Sequence, residues 1–124
     1  MYLLDTNALI YYLFDVAKLS SSASEAISSN DTFVSIVSLW EIAIKQTIGK
    51  LNIRESIADI AAACDEVGFE RLSITPTHLD CIKSLPLLHR DPFDRLLISQ
   101  ALTENLIFIT SDTTIPKYSI DTLW

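Results

Sequence analysis

The run Met1-Tyr2-Leu3-Leu4-Asp5-Thr6-Asn7 decides the architecture. Four apolar residues give way abruptly to polar ones, the pattern of a short buried strand closed by an Asx-type turn. The same pattern returns near the other end in Leu106-Ile107-Phe108-Ile109-Thr110-Ser111-Asp112. Two strands that each finish on an acid frame the chain, and everything between them alternates strand with helix.

Ala8–Phe14 predicts a helix, and Ser20-Ser21-Ser22 caps a second one through Ile27. Thr32–Val37 is β-branched and apolar, hence a strand. A helix is expected from Ser38 to Ile48, with Gly49 just past its end. Ser56–Val67 carries Ile57, Ile60, Ala61 and Cys64 as a helical stripe that Gly68 stops. Phe69–Ile74 reads as a third strand, and Thr75-Pro76 opens a helix ending before Pro86. The loop His89-Arg90-Asp91-Pro92 feeds a strong helix, Pro92–Asn105, before the strand Leu106–Thr110; Ile120–Trp124 completes the series. Such alternation favours a mainly parallel sheet covered on both faces, a three-layer α/β/α sandwich.

The totals agree. At 124 residues the chain suits one domain, residues 1–124, with a single buried core. Hydrophobic residues make up 49% and charged ones 20%, which excludes a disordered chain. With 2 glycines and 4 prolines, loops are expected to be short. No basic segment precedes an apolar one at Met1, so no signal peptide is expected, and Ala8–Phe14 is too short to cross a bilayer. Cys64 and Cys81 lack metal-type spacing and read as reduced thiols of a cytoplasmic protein. The formal charge of −7 argues against a general electrostatic grip on nucleic acid, though not against one held locally.

Four acids stand where strands end or helices begin: Asp5, Glu41, Asp94 and Asp112. Each has an ordinary explanation. Asp5 can close its turn, and Asp112 can cap the turn after the last long strand. Glu41 can form a capping box with Ser38, or pair with Lys45 at i,i+4. Asp91 as N-cap, Pro92 at N1 and Asp94 at N3 make a good helix start. The conjunction is less ordinary. In a parallel α/β sheet these positions converge on the rim where ligands bind, and four like charges gathered there need a compensating cation. Oxygen-only ligands suit Mg²⁺ or Mn²⁺. Metal-activated water at such a site attacks a phosphodiester while metal charge stabilises the transition state.

Asp91 is the better cap and Asp94 the better ligand, leaving Asp91 to orient Arg95 or a bound water. Asn7, Thr110 and Ser111 are supporting candidates beside the first and last acids. Lys45, Arg90 and Arg95 are the nearest cations for RNA phosphates, each also explicable as a solvated or salt-bridged surface group. His78 and His89 read as satisfied structural histidines. Trp40, Tyr11, Tyr12 and Phe93 lie in helical apolar stripes, where core or subunit packing is the default.

Four segments together resemble PIN-domain proteins, and among them the VapC-type toxins of prokaryotic toxin–antitoxin pairs. They are Met1–Asn7, Ser35–Lys45, His89–Ala101 and Leu106–Asp112. The likeness implies a PIN-like sandwich and a Mg²⁺- or Mn²⁺-dependent endoribonuclease, with Asp5, Glu41, Asp94 and Asp112 as metal-binding and catalytic residues. It also implies Asn7 and Thr110 or Ser111 in the supporting positions, a homodimer, and a small antitoxin protein covering the groove. A non-catalytic PIN-like module for RNA or protein is the alternative, and it predicts that Asp5→Asn leaves function intact. A haloacid-dehalogenase-type phosphatase needs Asp-x-Asp where this chain has Asp5-Thr6-Asn7, and a two-component receiver needs a mid-chain strand-end Asp that Leu51–Arg54 does not supply.

Overall fold

A computed structural model describes residues 1–124. Five strands, β1 (Tyr2–Leu4), β2 (Thr32–Ser35), β3 (Glu70–Leu72), β4 (Ile107–Ile109) and β5 (Thr122–Leu123), form one sheet in the order β3-β2-β1-β4-β5. Every pairing is parallel. Six helices flank it: α1 (Thr6–Phe14), α2 (Ser21–Ser29), α3 (Ile36–Thr47), α4 (Ile57–Glu66), α5 (Pro76–Ser84) and α6 (Pro92–Thr103). None of them is long and apolar enough to cross a membrane.

Strand side chains alternate between faces, and that period divides the core in two. Leu4, Val34 and Ile109 meet Ala8 and Leu9 of α1, Ala26 and Ile27 of α2, Leu39 and Ile42 of α3, and Ile60 and Cys64 of α4. Leu3 and Phe108 turn the other way, onto Leu96, Leu97 and Ala101 of α6 with Ile115 and Tyr118. The result is the expected three-layer sandwich. Cys64 is buried and Cys81 half-buried, and both are free thiols.

Several element ends differ from expectation. The second strand stops at Ser35, because the Ser35 hydroxyl accepts from the Val37 amide and starts α3 there. Val37 is therefore helical despite its β-branch, held by burial in the second core half. Ser38 is then inside the helix and forms no capping box with Glu41. Asp5 is the N-cap of α1, its Oδ1 accepting from Ala8 N at 2.7 Å, so the helix begins at Thr6 rather than Ala8. Asp91 caps α6 as expected, with Pro92 at its first position. That helix ends at Thr103, and Asn105 leaves it in the left-handed region at φ 56°.

The strand order places the topological switch between β1 and β4: β2 and β3 lie to one side of β1, β4 and β5 to the other. At such a point the loops leaving the carboxyl ends diverge and open a crevice. Asp5 follows β1 directly and Asp112 follows β4 by three residues.

Candidate active site

The crevice is lined by Asp5, Thr6, Asn7, Glu41, Lys45, Asp91, Asp94, Ser111 and Asp112, with no apolar residue among them. Four elements deliver the acids. Asp5 sits between β1 and α1, Glu41 in the second turn of α3, Asp91 and Asp94 at the start of α6, and Asp112 beyond β4. The sheet brings together all four acids singled out in the sequence, although 107 positions separate the first from the last.

Each carboxylate has its own neighbours. Asp5 and Glu41 are buried. Thr6 Oγ1 lies 2.6 Å from Glu41 Oε1 and 3.0 Å from Ser38 Oγ, and its one proton goes to the carboxylate. Lys45 Nζ reaches the other oxygen, Oε2, at 2.7 Å. Asp112 Oδ1 accepts from Thr114 N at 2.8 Å. Thr110 is buried beneath the crevice, its hydroxyl accepting from Asp112 N at 3.1 Å.

Crowding shows in the protonation of two groups. Desolvation lifts Asp94 from 3.8 to about 7, helped by Asp91, Glu41 and Asp5 and opposed by His89. Burial likewise raises Asp5 to about 6, with the Thr110 side chain and Ala8 amide pulling it down and Glu41 and Asp112 pushing it up. For Asp112 desolvation is outweighed by hydrogen bonds from His89 and Thr114, and its carboxyl falls below the ordinary value. Burial works against the charged form of Lys45, but its bond to Glu41 prevails and raises it.

One expectation gains detail and another needs correcting. His89 is hydrogen-bonded at both ring nitrogens, and its partners include the acids: its Nε2 lies 2.9 Å from Asp112 Oδ2 and 3.1 Å from Asp94 Oδ2. Nothing in its sequence spacing signals this, since the contact joins a loop to an acid 23 residues away. Arg95 does not face the crevice, nor does Asp91 orient it. Its guanidinium donates to the carbonyls of Pro86 (2.8 Å), Ile82 (3.3 Å) and Leu85 (3.4 Å), satisfying the open end of α5. Arg95→Ala is therefore expected to lower stability by about 1–2 kcal/mol in urea titrations, through unsatisfied carbonyls rather than lost phosphate contacts.

Lys45 lines the crevice, whereas Arg90 is exposed on the loop before α6. Asn7 and Ser111 stand at the crevice wall. Trp40 is 52% exposed and packs edge-to-face on Phe93, with ring centroids 4.9 Å apart. His78 is buried and structural, yet satisfied only at Nδ1, which accepts from Thr75 N at 3.0 Å; its Nε2 has no hydrogen-bond partner.

Chemically the crevice is an oxygen-rich anionic pocket with Lys45 as its one cationic wall residue. Its donor set fits a hard divalent cation. So do the elevated Asp5 and Asp94: both acids resist ionising beside their neighbours, and a cation would relieve that resistance.

No curated protein sequence matches the chain. Similar solved structures include a chain of VapBC2 from Rickettsia felis bound to a promoter DNA fragment. It is 16% identical at a TM-score of 0.73, covering 98% of this chain and 96% of that one. A chain of FitAcB from Neisseria gonorrhoeae gives 14% and 0.71, covering 100% and 97%. A chain of a Klebsiella pneumoniae toxin–antitoxin complex gives 18% and 0.61, covering 91% and 88%. At such identities these likenesses establish the fold. The PIN domain family itself matches residues 2–120, nearly the whole sequence, and the chain belongs to that family.

Proposed function

We propose that the chain is a Mg²⁺- or Mn²⁺-dependent endoribonuclease and the toxin of a toxin–antitoxin pair. The observation that carries this reading is the crevice itself, where four sequence-distant acids and Asp91 meet at the switch point of a parallel sheet. Asp5, Glu41, Asp94 and Asp112 are the groups to hold the cation. Asp94 keeps its Oδ1 free of any protein partner, whereas Glu41 is already bonded through both oxygens. When bound, the cation supplies positive charge for the phosphodiester transition state and acidifies water.

The chain's own residues prepare that chemistry. Thr6 and Lys45 fix the Glu41 carboxylate, and the Lys45 ammonium remains at the crevice wall for a phosphate oxygen. Thr110 and Thr114 hold the loop that carries Asp112. Asn7 and Ser111 offer uncharged donors at the wall, and exposed Arg90 adds a cation for the RNA backbone. The related complexes, named as toxin–antitoxin and VapBC assemblies, support a small antitoxin partner. A homodimer in the cytoplasm completes the reading.

Purified protein is expected to cleave RNA with Mg²⁺ or Mn²⁺ and to stop when EDTA is added, as followed by gel electrophoresis of labelled RNA. Cleavage that persists in EDTA contradicts the mechanism. Metal binding without cleavage of any RNA would favour a non-catalytic module instead.

A further inference from the structure

His89, Asp94 and Asp112 place three potential ligand atoms within 4.8 Å of one another, which at first sight is a mixed imidazole–carboxylate metal triad. The main chain argues otherwise. Asp91 N donates to His89 Nδ1 at 3.1 Å, so that nitrogen presents its lone pair. The ring proton therefore sits on Nε2, the atom facing both carboxylates. A metal ligand would need a bare Nε2 and a proton on Nδ1, pointed straight at the Asp91 amide.

That amide is not free to turn away. Asp91 Oδ1 caps α6 through Phe93 N (2.8 Å) and Asp94 N (3.2 Å). On the main chain, His89 N donates to the Tyr118 hydroxyl at 2.6 Å, with Leu88 N at 3.1 Å on the same oxygen. Helix cap and tyrosine together fix the loop that carries the imidazole.

We propose that His89 is a positioning residue whose Nε2–H ties Asp94 to Asp112 and is not itself a metal ligand. The single N–H is shared by Asp94 Oδ2 and Asp112 Oδ2, which come from α6 and from the loop after β4. Asp112 Oδ1 is engaged by Thr114 N, so of this pair's four oxygens the one left without a protein partner is Asp94 Oδ1. His89 thus selects which carboxylate atom is offered to a cation. The idea rests on the metal-site reading above, and deepens it by assigning the imidazole a role outside the coordination sphere.

Two measurements test it. In the metal-free protein, long-range ¹H–¹⁵N correlation of the imidazoles should show His89 with a bare Nδ1 and a protonated Nε2. The reverse tautomer overturns the proposal. Mn²⁺ titration followed by electron paramagnetic resonance should show His89→Ala binding about 10-fold or more weakly. His89→Gln, whose amide N–H reaches the same place, should recover most of that loss. Pulsed spectra of Mn²⁺-loaded wild type should carry no coupling to a directly bound imidazole nitrogen. Such a coupling, or a Gln variant as weak as the Ala variant, defeats the proposal while leaving a metal site in place. A wild-type protein that binds no Mn²⁺ defeats the metal reading as well, so the two failures are told apart.

Discussion

Asp94→Asn should yield a protein that is more stable without metal at pH 8, yet nearly inactive. Asparagine keeps the volume and an oxygen that can still accept from His89, but carries no charge. The wild-type carboxyl is pushed up to about 7 by desolvation and by Asp91, so above neutral pH the fold holds an ionised group against its environment. Removing that charge should stabilise the metal-free protein by about 2 kcal/mol, raising Tm by roughly 5–10 °C in a domain of this size. Activity should fall by about 100-fold or more, because a charged carboxylate of the cation-holding set is lost. Thermal melts in EDTA and RNA cleavage in Mg²⁺ check the two halves. A variant that is less stable in EDTA, or that cleaves normally, refutes the assignment. Stability given up for function is common where like charges are packed for catalysis.

The second large effect is a reversal of the usual acid behaviour. Asp5 and Asp94 have folded values of about 6 and about 7, above the ordinary 3.8. Between about pH 4 and pH 7 the folded state then binds more protons than the unfolded one, so stability falls as pH rises through that window. The decline should reach on the order of 3–4 kcal/mol in the metal-free protein and level off above pH 7. Asp112 is shifted the other way, but its contribution is lost only below its ordinary range and does not cancel the trend. Mg²⁺ or Mn²⁺ favours the ionised carboxylates and should restore stability at pH 8 far more than at pH 5. Urea unfolding at several pH values, with EDTA and with metal, measures this. Stability that climbs from pH 5 to 8 in EDTA would count against the buried acid cluster.

Much of the architecture can be read from residue order because its elements are short and clearly punctuated. Ser20, Ser56, Thr75 and Asp91 each cap the helix that sequence pattern assigns them. Boundaries move where packing competes with local preference, as at Val37. Within the crevice, Asp5 and Asp112 are legible because a polar break after an apolar strand already implies the rim of a sheet. Glu41 is legible as an acid of that rim, and it enters from the second turn of α3 rather than from a cap. Arg95 shows the limit of proximity in sequence. One helical step past Asp94 rotates a side chain by about 100°, which carries the guanidinium off toward α5. His89 is silent in sequence, because what makes it matter is a contact with Asp112 that only the assembled sheet creates.

The β1–β4 junction has a consequence for the order in which the cleft assembles. Tyr2, Leu3 and Leu4 align with Ile107, Phe108 and Ile109, so its two walls come from strands far apart in sequence. The loop-closure entropy of so distant a pairing must be met before its contacts repay it. Asp5 and Asp112 are therefore expected to meet late in folding, after the local helices have formed.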